Sequence, residues 1–218
     1  FLYLSGYNKT KRPWKSWILM DCSIGIEIAM GGRSDKDGID AQCTNVTQLA
    51  QIPAEVLELE FPLKIEEHAI RPDSEGPGQS RGGLGLSRQW QVLAEDTLAQ
   101  ICSDRLKQPP WGVNGGQAAA APIFTVIDNK GIKSQLPGKH TFTTTTGNIV
   151  RAEVSGAGGY GSPIERSPEL VLWDVREEKI SITRAAEVYG VAIKTDKKTI
   201  DWLTTANLRS SMQETLHD

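Results

Sequence analysis

Cysteine is scarce in this chain of 218 residues: Cys22, Cys43 and Cys102 are isolated and have no C-x-x-C spacing. An odd, scattered set excludes a disulfide framework and a zinc knuckle, and it suits the reducing cytoplasm. Histidine is equally rare. His68 and His140 each lack a second His or Cys at ligand spacing, so the sequence offers no metal site built by this chain alone. No apolar run approaches a membrane span, and no basic-apolar-small signal segment opens the chain. Residue 1 is Phe rather than Met, which suggests a trimmed end, a processed chain or a fragment of something longer. There is no basic excess either. Lys plus Arg is 24 against 27 Asp plus Glu, a net charge of −3, which argues against a dedicated nucleic-acid binder. No G-x-S-x-G elbow occurs, and Gly138-Lys139-His140 lacks the upstream Gly and the Ser/Thr of a P-loop.

What is present is an ordinary globular composition, 39% apolar and 23% charged, long enough for one large domain or two small ones. The patterning is β for most of the length. Segments 17–20, 24–30, 63–70, 84–94, 97–103, 122–127 and 149–154 read as strands separated by Gly, Pro and Asp. Segment 53–58 is ambiguous: Pro53 favours the start of a helix, while Leu57, Leu59 and Phe61 alternate with Glu58 and Glu60 as in a strand. The last 60 residues turn helical. Ser167-Pro168-Glu169 reads as a cap and first turn, with Leu170, Val171 and Trp173 at helical spacing. A short helix over 184–189 is stopped by Gly190. Thr199 is expected to cap a third helix reaching Leu216, with Trp202, Leu203, Ala206, Met212 and Leu216 as its apolar stripe. The expectation is an α+β chain: a β-rich barrel or sandwich core with a C-terminal helical tail.

Several motifs invite sharper readings. Gly156-Ala157-Gly158-Gly159-Tyr160-Gly161 fits G-x-G-x-x-G after a strand, but Ser162-Pro163 prevents a helix from starting inside it. A structural glycine turn is the better reading, and a stand-alone dinucleotide enzyme the poorer one. Asp35, Asp37 and Asp40 suggest a calcium loop, yet Gly38 and Val46 fall at the wrong positions for an EF-hand. Arg71-Pro72-Asp73-Ser74 and Ser103-Asp104-Arg105 are dense in opposite charges beside strand ends. They read either as turns held by local pairing or as clamps for a substrate anion.

At these loops the sequence resembles the C-terminal part of the hydantoinase B/oxoprolinase family. The run Arg71-Pro72-Asp73-Ser74-Glu75-Gly76-Pro77-Gly78-Gln79-Ser80-Arg81-Gly82-Gly83-Leu84-Gly85 is similar to R-P-D-S-G-G-x-G-x-x-R-G-G-L-G. Ser103-Asp104-Arg105 with Pro110-Trp111-Gly112-Val113-Asn114-Gly115-Gly116 resembles S-D-R…P-W-G-x-x-G-G, and residues 158–166 resemble G-G-Y-G-D-P-L-E-R. Asp174-Val175-Arg176, Val188-Tyr189-Gly190-Val191 and the upstream block of residues 31–38 with Asn45, Pro53 and Glu55 complete the series in matching order. Glu75, Ala157 and Ser162 depart from the pattern.

The resemblance implies a B-type subunit of N-methylhydantoinases, 5-oxoprolinases or acetone and acetophenone carboxylases. In these, ATP phosphorylates a carbonyl or lactam oxygen ahead of hydrolysis or carboxylation. It implies an ATP-binding A-type partner subunit, the N-terminal half of the B-type subunit with the metal ligands, and a small carbonyl or lactam substrate. ATP and a divalent metal are then expected in the complete complex, neither held by this chain alone, with no nucleic acid or membrane partner. The expected division is residues 1–66 as the end of a preceding catalytic-type domain, 67–156 as the β-rich core, and 157–218 as glycine turn and helical tail. Arg33, Asp37, Asp73 and Arg81 are the candidate catalytic residues. A non-catalytic assembly module is the rival reading.

Overall fold

The computed structural model describes residues 2–8, 15–21, 29–42 and 52–215. Among them are nine strands in two antiparallel sheets. The first has the order β2(Lys15–Asp21)-β1(Leu2–Asn8)-β5(Thr97–Cys102)-β8(Lys139–Thr144). The second has the order β3(Leu63–Ile70)-β4(Leu86–Val92)-β9(Ile149–Glu153)-β6(Ile123–Ile127)-β7(Lys133–Leu136). The architecture is therefore a sandwich with helices after it, not a closed barrel.

Period-two alternation explains the packing. On the first sheet Leu19, Leu4, Ala99 and Phe142 stand opposite one another across four strands, all turned inward. On the second, Ile65, Trp90, Val150 and Val126 form the facing row. The two rows belong to one continuous core, with Trp90 its largest fully buried side chain. A bulge between Ile65 and Glu67 shifts the alternation of β3.

The ambiguous segment is a helix, α1(Ala54–Glu60). Leu57 is buried against the sheets while Leu59 is exposed, the outcome of a 3.6-residue period rather than a two-residue one. The Glu58 carboxylate accepts a bond from the Ile65 N–H, 2.8 Å, tying the helix to β3. Most other strand expectations hold to within a few residues. Segment 24–28 lies outside the described residues. Strands β1, β7 and β8 were not foreseen: β1 is Leu-Tyr-Leu-Ser-Gly-Tyr-Asn, β7 is Lys-Ser-Gln-Leu, and β8 is Lys-His-Thr-Phe-Thr-Thr.

The tail holds α2(Pro168–Arg176), α3(Ile182–Tyr189) and α4(Trp202–Thr215), after a single 3-10 turn over Pro163–Glu165. Val171, Val175, Ile180, Ala185, Tyr189 and Val191 form a second, smaller core. Leu170 and Trp173 point outward, so the buried face of α2 is Val171, Asp174 and Val175. α3 starts with the Ser181 hydroxyl accepting the Arg184 N–H and stops at Gly190, whose φ of 62° suits glycine. Two expectations for α4 need correction. Its first turn is capped by Asp201, which accepts from the Thr204 N–H, and not by Thr199. Its inward face is Thr205, Leu208, Arg209 and Met212, while Trp202 and Leu203 are exposed. Arg209 supplies the reason, since its guanidinium donates to the carbonyls of Tyr189 and Arg166 and turns that face inward.

Trp90 is fully buried between the sheets. Trp90→Ala is expected to lower unfolding stability by about 3–5 kcal/mol, readable by chemical denaturation.

Candidate functional site

The glycine loops meet between the sandwich and the tail, and they bury one another. Gly76 N–H donates to Ala157 O at 2.7 Å, Ala157 N–H to Gly83 O at 2.9 Å, and Ser80 and Tyr160 exchange both backbone bonds. Gly32 N–H reaches Gly158 O, and Gly38 N–H reaches Arg81 O. Segments 31–38, 74–85, 111–117 and 156–161 thus form a layer of backbone packed on backbone. Gly158 shows why side chains are excluded: a Cβ there would lie 1.8 Å from the Trp111 carbonyl oxygen. The space a nucleotide phosphate would need beside these glycines is filled by the neighbouring loops.

Charged side chains pin this layer to the tail. Asp174, on the buried face of α2, sits between two arginines. Its Oδ1 accepts from Arg81 Nε at 3.1 Å and its Oδ2 from Arg166 Nη2 at 2.8 Å. Arg81 continues to Asp40 through Nη1 and Nη2, at 2.7 and 3.2 Å, and Asp40 also meets Lys179 Nζ at 3.1 Å. Arg166 continues to Asp37 with two 2.7 Å bonds and donates to Gln79 O. Asp37 in turn accepts the Arg81 backbone N–H. The chain Asp37–Arg166–Asp174–Arg81–Asp40–Lys179 alternates in sign and balances three carboxylates with three cations. Burial works against the charge on Arg81 and Arg166. The hydrogen bonds and fields of their carboxylate partners more than restore it, so both guanidinium pKa values are raised. Burial also opposes ionisation of Asp40, but Arg81 and the Leu84 N–H outweigh it and hold the carboxyl below its usual value.

A second tie uses Glu75, fully buried in the glycine layer. Its Oε1 accepts from Arg184 Nε at 2.6 Å and from the Tyr189 hydroxyl at 3.2 Å, while its Oε2 has no hydrogen-bond partner among the described residues. Burial raises its pKa, only partly countered by Arg184. Asp73, in left-handed backbone at φ 56°, accepts the Ser181 N–H at the start of α3.

Of the four candidates from sequence, Asp37 and Arg81 come together in the ion chain, Asp73 stands apart against α3, and Arg33 is exposed on a turn where its N–H bonds Lys36 O. Arg166 and Asp174 were noted only as parts of family motifs and Glu75 only as a departure from one; none of these, nor Arg184, was named as a site residue. One readable signal existed: Asp174 shares the helical face of Val171 and Val175, and a carboxylate on an apolar stripe demands a cation. The described residues do not fit the implied metal. The carboxylates that gather here are filled by guanidinium groups, and no group of three His, Cys, Asp or Glu among the described residues forms a cation site. No described helix is long and apolar enough to cross a membrane.

A two-sheet sandwich sealed by interleaved glycine loops defines the class, and known proteins share it. The Hydantoinase B/oxoprolinase family profile matches residues 2–163, and the chain belongs to that family. An uncharacterized protein of Methanocaldococcus jannaschii is 45% identical over 159 residues, covering 72% of this chain and 28% of that protein. The B-type subunit of a candidate D-/L-hydantoinase from a Pseudomonas species is 34% identical over 198 residues, covering 88% and 32%. The solved nucleotide-free structure of acetone carboxylase, an ATP-dependent enzyme, superposes with a TM-score of 0.82 at 20% identity, over 98% of this chain and 32% of that one. The chain spans about a third of the length of these relatives.

Removing one member of the buried ion chain strands its partners. Arg166→Ala is expected to lower stability by about 3–5 kcal/mol in denaturant titration, against about 0.5 kcal/mol or less for the exposed Arg33→Ala. Asp40 adds a pH signature. Its folded pKa lies below the unfolded value, so its stabilisation is present above about pH 4 and is lost as pH falls through the folded value. Asp40→Asn should therefore be less stable than the parent at neutral pH, and the gap should narrow in an acid titration followed by circular dichroism.

Proposed function

We propose that this chain is the C-terminal portion of a B-type subunit in an ATP-dependent enzyme of the hydantoinase/oxoprolinase kind. Such an enzyme activates a cyclic amide or ketone carbonyl by phosphorylating its oxygen. The observation that carries the reading is the 34% identity to a hydantoinase B-type subunit across 88% of the chain. The chemistry is coherent. An unactivated amide is a poor electrophile, and a phosphorylated oxygen makes the carbon attackable and the oxygen a leaving group. The relatives include a hydantoinase subunit and 5-oxoprolinases as well as ketone carboxylases, so hydrolysis after activation is the leading form of the reading and carboxylation the alternative within it. The complete complex would add ATP with its A-type subunit, the divalent metal, and the N-terminal half of the B-type subunit.

A second reading has its own support. Asp37 and Arg81, two of the candidate catalytic residues, spend their polar atoms on one another and on Arg166, Asp40 and Asp174. In that reading the chain is an assembly module that frames the loops and performs no chemistry. Under either reading Arg81 and Asp37 act by positioning, and the exposed Arg33 is the candidate left facing solvent.

The purified chain should show no substrate-dependent ATP hydrolysis, and turnover should appear only when the A-type subunit and the rest of the B-type subunit are added. Hydrolysis by the isolated chain overturns the proposal. In the assembled enzyme, Arg33→Ala should lower turnover by about tenfold or more if the chain contributes to catalysis and leave it unchanged if the chain only assembles.

A further inference from the structure

A cleft lies on the side of the sandwich where the loop after β5 faces the turn between β7 and β8, and its volume is about 770 Å³. The walls are locked together. Ser103 N–H donates to Gly138 O at 2.7 Å, and a Cβ on Gly138 would lie 2.4 Å from the Leu106 side chain and 2.8 Å from Ser103 O. The Ser103 carbonyl leaves no room for a Cβ on Gly138, so the turn is held against the loop by backbone contact. Leu106 and Pro137 give it an apolar lining.

Its charge runs against that of the chain. Arg105, Lys107 and Lys139 line it with one carboxylate, Asp104, and Lys139 pairs with Asp104 at 3.1 Å. Two cations of the lining thus exceed its acids, on a chain whose net charge is −3. Arg105 is also held in left-handed backbone, φ 67°, with its guanidinium 5.0 Å from the ring centre of Trp111, itself two-thirds exposed. A long side chain adopts that conformation at a cost, and such costs collect at binding sites. The contrast with Arg81, Arg166 and Arg184 is direct, since those three are consumed by internal carboxylates.

We propose that this cleft binds a small organic anion, a carboxylate or phosphate monoester on an apolar body, with Arg105 and Lys107 meeting the anion and Leu106 and Pro137 the body. The proposal stands independently of the enzyme reading above. The test is a titration of the full chain with benzoate and with phenyl phosphate at constant ionic strength, benzamide serving as the neutral control. Amide resonances of Leu106, Gly138 and Lys139 are the readout. Expected are saturable shifts confined to the cleft with at least one anion, none with benzamide, and affinity about fivefold or more weaker in Lys107→Gln with the rest of the spectrum unchanged. The anion that saturates identifies the group recognised. No saturable shift with either anion, equal shifts with benzamide, or unchanged affinity in Lys107→Gln overturns it.

Discussion

One buried carboxylate organises the loops and the tail. Asp174 sits in an apolar helix face, and it is tolerable there only because Arg81 and Arg166 each bring a guanidinium to one of its oxygens. Each arginine would itself be stranded without a further acid, which Asp40 and Asp37 supply. Satisfying one charge therefore requires three segments far apart in sequence to meet: the 31–42 loop, the 74–85 loop and the stretch from Arg166 through α2. The ion chain works as a registration device more than as a source of net stability, because taking Asp174, Arg81 and Arg166 from water offsets much of what their pairing returns.

The glycine layer is the other half of the same arrangement. Backbones that approach within a Cβ's reach of one another can satisfy their N–H and C=O groups mutually, and they do so across four loops. That removes the need for water or ligand at these amides. A motif that in another context would cradle a phosphate is here a packing surface. Glu75, where the family pattern has glycine, is accommodated because Arg184 and Tyr189 reach into the layer to meet it.

These two features give the family reading a physical shape. Charge pairs and glycine contacts of this kind make a rigid frame, and the exposed groups outside the frame, Arg33 on its turn and the Arg105 loop over its cleft, are free to meet other molecules.

Much of the fold was legible from period and punctuation. Alternation marked β3, β4, β5, β6 and β9, and Gly190 marked the end of α3, because strand pleat and helix stop are local physics. α1 went undecided because seven residues carry too few turns to separate the two periods. β1 and β8 went unseen because each is short and interrupted by polar or glycine positions, and it is their pairing across β5 that fixes them as strands. The site divided the same way. Residue order alone settles which charged and glycine-rich loops exist, and hence the family. What those loops do to one another is settled in three dimensions, because whether Asp37 meets a ligand or Arg166, 129 positions away, is a matter of where the chain returns in space.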